Sequence, residues 1–171
     1  MLVKRILNHL RNKKPQMIPI PTQFNTTELL KGKVALITGG SGGIGYAIAE
    51  SFLKNGCRVI IAGTSQEKLD KCISKLGSNE NVRALVIDVT KVDSLGEKVE
   101  IATGFWGKVD ILVNSAGINC FSDFLDVSEN EYDAVMNVNA KGTYFMSQAI
   151  AKYMIKNAIK GHILNVTSSS A

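Results

Sequence analysis

The most restrictive feature of the chain is a short apolar run that stops abruptly in glycine. Val34-Ala35-Leu36-Ile37 is followed at once by Thr38-Gly39-Gly40-Ser41-Gly42-Gly43-Ile44-Gly45. Four consecutive apolar residues suit a parallel strand buried on both faces. Beyond the glycines, Ile44, Ile48 and Phe52 recur every fourth residue, as on one face of a helix, and Gly56 follows Lys54 and Asn55 as a stop. Arg58-Val59-Ile60-Ile61-Ala62 reads as the next strand. The glycines therefore occupy the strand-to-helix turn of a βαβ unit, a context that argues against a flexible linker. Backbone without a Cβ can approach a diphosphate closely, and the first helical N–H groups present a positive dipole end to it. A nucleoside-triphosphatase loop is disfavoured, because no Gly-Lys-Ser/Thr closes the run.

Composition sets the frame for this unit. The chain has 171 residues, 45% of them hydrophobic and 20% charged, which fits one soluble domain with a single core rather than a disordered chain. Its formal charge of +5 is unevenly placed. Residues 1–27 hold Lys4, Arg5, Arg11, Lys13 and Lys14 and no acid, whereas residues 28–171 carry 15 basic and 15 acidic side chains. The excess charge therefore belongs to a tail, and a nucleic-acid-binding core is not expected. Leu2, Val3, Ile6, Leu7 and Leu10 share one helical face over residues 1–14, so a basic amphipathic helix is expected there. Pro15, Pro19 and Pro21 then suggest a linker over 15–29 before a domain at 30–171. The tail fits weak contact with a membrane surface or a partner, an organelle transit segment, or simply a solvated end; so few aliphatic and basic residues give marginal anchoring, which favours the last. Cys57, Cys72 and Cys120 are too widely spaced for a C-x-x-C pair, and no apolar run has the length of a membrane span, so a cytoplasmic location is expected and no metal site is.

Taken together, the segments resemble the short-chain dehydrogenase/reductase family. The spacing Thr38-Gly39-x-x-x-Gly43-x-Gly45 is similar to its glycine motif. Leu85-Val86-Ile87-Asp88-Val89 resembles its third strand, and Ile111-Leu112-Val113-Asn114-Ser115-Ala116-Gly117 its Asn-Asn-Ala-Gly motif, with Ser115 replacing the second Asn. Val138-Asn139-Ala140-Lys141-Gly142 resembles the segment of the catalytic Asn, and Gly161 to Ser169 the fifth strand leading to the catalytic Ser. The wording is most similar to 3-oxoacyl-carrier-protein reductases and to sugar or polyol dehydrogenases.

The resemblance implies an α/β fold, a doubly wound parallel sheet of Rossmann type, with strands near 34–38, 58–62, 83–87, 110–114 and 162–167 in the order 3-2-1-4-5. It implies hydride transfer between a nicotinamide dinucleotide and a ketone or secondary alcohol. Ser168 would hold the carbonyl oxygen and Asn139 would orient a water in the proton relay. Gly39, Ser41, Gly42, Gly43, Ile44 and Gly45 would cradle the diphosphate, Asp88 and Val89 the adenine, and Asn114, Ala116 and Gly117 the nicotinamide half. Asn114 would also tie neighbouring strands. The second strand ends in Ala62-Gly63-Thr64-Ser65 without the acid that accepts the ribose hydroxyls of NAD, so Thr64 and Ser65, with Lys68, lean the choice to NADP over NAD. Thr64 and Ser65 also fit a helix cap under either cofactor.

The family's proton-donating Tyr and its Lys would fall beyond Ala171, so the sequence reads as truncated after the fifth strand. Tyr153 and Lys156 precede the Ser strand and are read as helix-face residues. The 171-residue chain alone is accordingly expected to be inactive and prone to associate, and the complete form to be a homo-oligomer. The alternative is a non-catalytic nucleotide-binding or interaction module.

Overall fold

The computed structural model describes residues 28–78 and 80–168. The helix expected over 1–14, and the linker up to residue 27, lie outside the described residues. Glu28 to Gly32 form turns, anchored where Leu30 N–H donates to Asn55 O at 3.0 Å.

The strands are β1 (Val34–Thr38), β2 (Arg58–Gly63), β3 (Val82–Val86), β4 (Ile111–Asn114) and β5 (His162–Asn165). Between them run α1 (Gly43–Lys54), α2 (Gln66–Lys75), α3 (Leu95–Gly104), α4 (Glu129–Met136), a π-helical turn (Asn137–Gly142) and α5 (Thr143–Lys156). All four strand pairings are parallel, in the order β3-β2-β1-β4-β5. This is the doubly wound sheet that the alternating pattern implied. The strand ends fall within two residues of expectation, with β3 stopping at Val86 and β5 at Asn165, and Asp88 and Ser168 lie in the connections that follow them.

Alternation along each strand builds two cores. Val34, Leu36, Ile60, Ala62, Leu85 and Leu112 face one way and are covered by Val99 and Ala102 of α3 and by Met146, Ile150 and Met154 of α5. Ala35, Ile37, Val59, Ile61, Ile111 and Val113 face the other way, against Ala49 of α1 and Leu69 and Cys72 of α2. The apolar band of α5 is wider than its contact, and Tyr144 and Ile155 remain 64% and 81% exposed. Among the described residues β5 is an edge strand, with Ile163 and Leu164 open to solvent. No helix among the described residues is long and apolar enough to cross a membrane.

Candidate functional site

The carboxyl ends of β1, β3 and β4 open onto one cleft, and the glycine turn forms its lip. Gly39 has φ +65°, a left-handed conformation, and a Cβ there would sit 2.6 Å from Ser115 O. At Gly45 a side chain would overlap the carbonyl of Gly39, because α1 crosses the turn in direct contact. Gly43 differs, since a Cβ built there meets no atom within 4 Å. The turn is thus tight against the protein and open on the outside. Gly42 is the N-cap of α1 and the helix has neither a side-chain cap nor an acid in its first turn. Uncapped first-turn N–H groups on a bare backbone have the chemistry to receive an anion. Ile44, expected in the cradle, is 63% exposed, whereas Ile48 and Phe52 one and two turns later pack on the core. Of the expected cradle residues, Gly42, Gly43, Ile44 and Gly45 stand beside the cleft and do not line it.

The cleft, about 190 Å³, is lined by the expected Gly39, Ser41, Thr64, Asp88, Val89, Ala116 and Gly117. Sequence reasoning had not assigned Thr38, Gly63, Ile87, Ile118 or Val138 to it. Thr38 is buried, and its Oγ1 accepts from the N–H groups of Ser115 and Ala116, each at 3.2 Å, so β1 holds the loop after β4 in place. Asp88 Oδ1 accepts from Thr90 Oγ1 at 2.7 Å and Thr90 N at 3.0 Å. The Thr90 hydroxyl above all, and then its N–H and Lys91, hold the carboxyl below its ordinary value against the opposing effect of burial. Ser65 does not line the cleft. Its hydroxyl accepts from Lys68 N at 3.4 Å as the N-cap of α2.

Asn114 supports the site without lining it. The residue is buried, and its Nδ2 donates to Asn165 Oδ1 and Ser147 Oγ, both at 2.8 Å, which ties β4 to β5 and to α5. Asn139 lies in the π-helical turn, whose close approach to the sheet depends on Gly142, where a Cβ would meet Val89 Cγ2 at 2.7 Å. Its carboxamide accepts from Ile118 N and donates to Ile118 O, both at 2.9 Å. Both ends of that side chain are therefore engaged with backbone. Ser168 is exposed, three residues beyond β5. Tyr153 is on α5, where its hydroxyl donates to Gly107 O at 3.4 Å, and neither it nor Lys156 lines the cleft.

Beside the cleft, the loop from Ile118 to Ser128 is fastened to α4 by Glu131. The carboxylate accepts from Ser122 Oγ at 2.5 Å, Ser128 Oγ at 2.6 Å and Ser128 N at 2.9 Å, completing a capping box. These bonds, Ser122 first, hold the carboxyl down to about 2. The Ser128-x-x-Glu131 spacing is the sequence signal that would have revealed it.

Comparison with known proteins fits this geometry. Residues 33–171 match the family model described as short chain dehydrogenase. The chain belongs to the short-chain dehydrogenase family. Among curated members, it is 37% identical over 142 residues to an uncharacterized oxidoreductase of Staphylococcus aureus (strain USA300), covering 83% of this chain and 61% of that protein. It is 40% identical over 140 residues to the 3-oxoacyl-[acyl-carrier-protein] reductase of Thermotoga maritima, covering 81% and 56%. Among solved family structures, a short chain dehydrogenase from Bacillus anthracis superposes with a TM-score of 0.76 at 36% identity, covering 80% of this chain and 57% of that one. The chain thus spans about 61% of the length of the first of these relatives.

Proposed function

We propose that this chain forms the dinucleotide-binding part of an NAD(P)-dependent oxidoreductase that interconverts a ketone and a secondary alcohol. The observation that carries the reading is the open side of Gly43 at the uncapped start of α1, beside a cleft that contains Asp88 and Gly117. A diphosphate fits that position, because the N–H groups there have no competing cap and no Cβ stands in the way. Asp88 has one carboxylate oxygen committed to Thr90, which orients the group towards hydrogen bonding an adenine. When bound, the dinucleotide supplies the hydride from its nicotinamide.

The chain's own residues then divide the remaining work. Ser168 donates to the carbonyl oxygen of the substrate. Since the Asn139 carboxamide is occupied by Ile118, a water in the proton relay is held by the main chain of the π-helical turn, which that same carboxamide positions. No Tyr or Lys lines the described cleft, so the general acid comes from outside it. NADP is preferred over NAD because Thr64 lines the cleft where an acid would otherwise repel a 2′-phosphate. A 3-oxoacyl, sugar or polyol substrate is in keeping with the relatives. Homo-oligomerisation is in keeping with the solvent-exposed Tyr144 and Ile155 of α5 and with Ile163 and Leu164 of β5.

Paired fluorescence titrations with NADPH and NADH test the reading. One saturable site with tighter NADPH binding is expected; absence of binding by either would remove the enzyme reading and leave the interaction module.

A further inference from the structure

The foot of the sheet, at the amino ends of β2 and β3, carries a second feature of the molecule. In β2, Arg58 stands two residues before Ile60, and in β3, Arg83 stands two residues before Leu85; both Ile60 and Leu85 belong to the core under α3 and α5. Side chains two apart share a face, so both arginines project to that side. Ile60 is the register partner of Arg83, which makes Arg58 and Arg83 diagonal neighbours on adjacent strands. Trp106, in the turn after α3 and packed against the same core, lies over both. The guanidinium carbons are 5.8 Å (Arg58) and 5.4 Å (Arg83) from the centroid of its ring.

Two cations on one indole repel each other. Among the described residues neither arginine has a carboxylate within ion-pair distance. Asp110 at the foot of β4 is already taken, by Lys108 at 2.9 Å, Lys33 at 3.8 Å and Val34 N at 2.9 Å. Among the described residues the Arg83 side chain donates one hydrogen bond, from Nη1 to Val82 O at 2.8 Å, which leaves most of its donors uncommitted.

Contact with the ring face restrains both guanidinium groups, which reduces the ordering cost of binding a ligand. A dianion with several acceptor oxygens neutralises both charges and accepts from both forks, which a single carboxylate cannot do. We propose that Arg58 and Arg83, held on Trp106, form a second anion site that takes a phosphate dianion, either free or as the monoester of a small molecule. The site lies at the opposite end of the strands from the glycine turn, so it does not depend on dinucleotide binding.

The chain contains a single Trp, so its emission reports this site directly. The test titrates inorganic phosphate, and in a parallel arm glycerol phosphate, at constant ionic strength set with chloride and at a pH where phosphate is a dianion. A saturable change in emission is expected, with the tighter of the two arms identifying the natural form. Half-saturation should weaken at least about tenfold in Arg58→Gln and in Arg83→Gln, the loss expected for one charge-assisted partner, and less in the corresponding Lys variants. Gly43→Val should leave it unchanged. The proposal is overturned if neither ligand gives a saturable response, if the Gln variants keep the wild-type half-saturation, or if Gly43→Val alone removes the response. Thermal unfolding of each variant confirms that a lost response reflects the site and not the fold.

Discussion

Asn139 grips the backbone of Ile118 through both ends of its carboxamide, accepting from its N–H and donating to its carbonyl at 2.9 Å each. The pair joins the π-helical turn to the loop that leaves β4, and so fixes one wall of the cleft. Replacing Asn139 by Ala removes two hydrogen bonds at an exposed position, at a cost of about 0.5–1.5 kcal/mol for each. Asn139→Asp is expected to be at least as harmful, because a carboxylate cannot donate to the Ile118 carbonyl. Urea unfolding measures the loss of stability, and faster amide exchange at Ile118 would locate it.

The second tie is the pair Asn114 and Asn165, opposite each other in the β4–β5 register. Asn165→Ala removes an acceptor from a buried Nδ2 group and is expected to cost about 1–3 kcal/mol. Because β5 pairs only with β4 among the described residues, amide exchange in β5 should accelerate more than in β1.

Glu131 gives a pH dependence of definite sign. Its folded value of about 2 lies below its ordinary 4.5, so the bonds it makes stabilise the fold fully above pH 4.5 and are lost as the pH falls towards 2. Proteolytic cleavage between Ile118 and Ser128 should become faster over that window in the native chain. Glu131→Gln is expected to show fast cleavage at all pH values, without the transition.

The three thiols should differ sharply in reactivity. Burial above all, and then the nearby charge of Asp110, push the Cys57 thiol up to about 12, so thiolate is scarce there at neutral pH. Cys72 is also buried, whereas Cys120 is partly exposed. Mass-spectrometric mapping after iodoacetamide treatment should show Cys120 modified first and Cys57 modified only on unfolding.

The parts that were legible in the sequence are those that depend on neighbours in the chain. The β1 strand, the glycine turn and α1 are consecutive, so their pattern carried both the element types and the tight turn between them. Side-chain partners across the fold were not legible. Asn165 and Ser147 are 51 and 33 residues from Asn114, and only strand register and the angle of α5 bring the three together. The same holds for Asn139 and Ile118, which meet through a π-helical turn that no periodicity announces.

Calorimetric titration of NADPH into the chain and into its Gly43→Val variant tests the proposed cradle most directly. A Cβ there meets no protein atom within 4 Å, so the fold should tolerate Val while its branched side chain fills the space that a diphosphate needs, and thermal unfolding of the variant checks the first half. The cradle predicts saturable binding to the wild-type chain and none to the variant. Equal NADPH affinity for the two would contradict it.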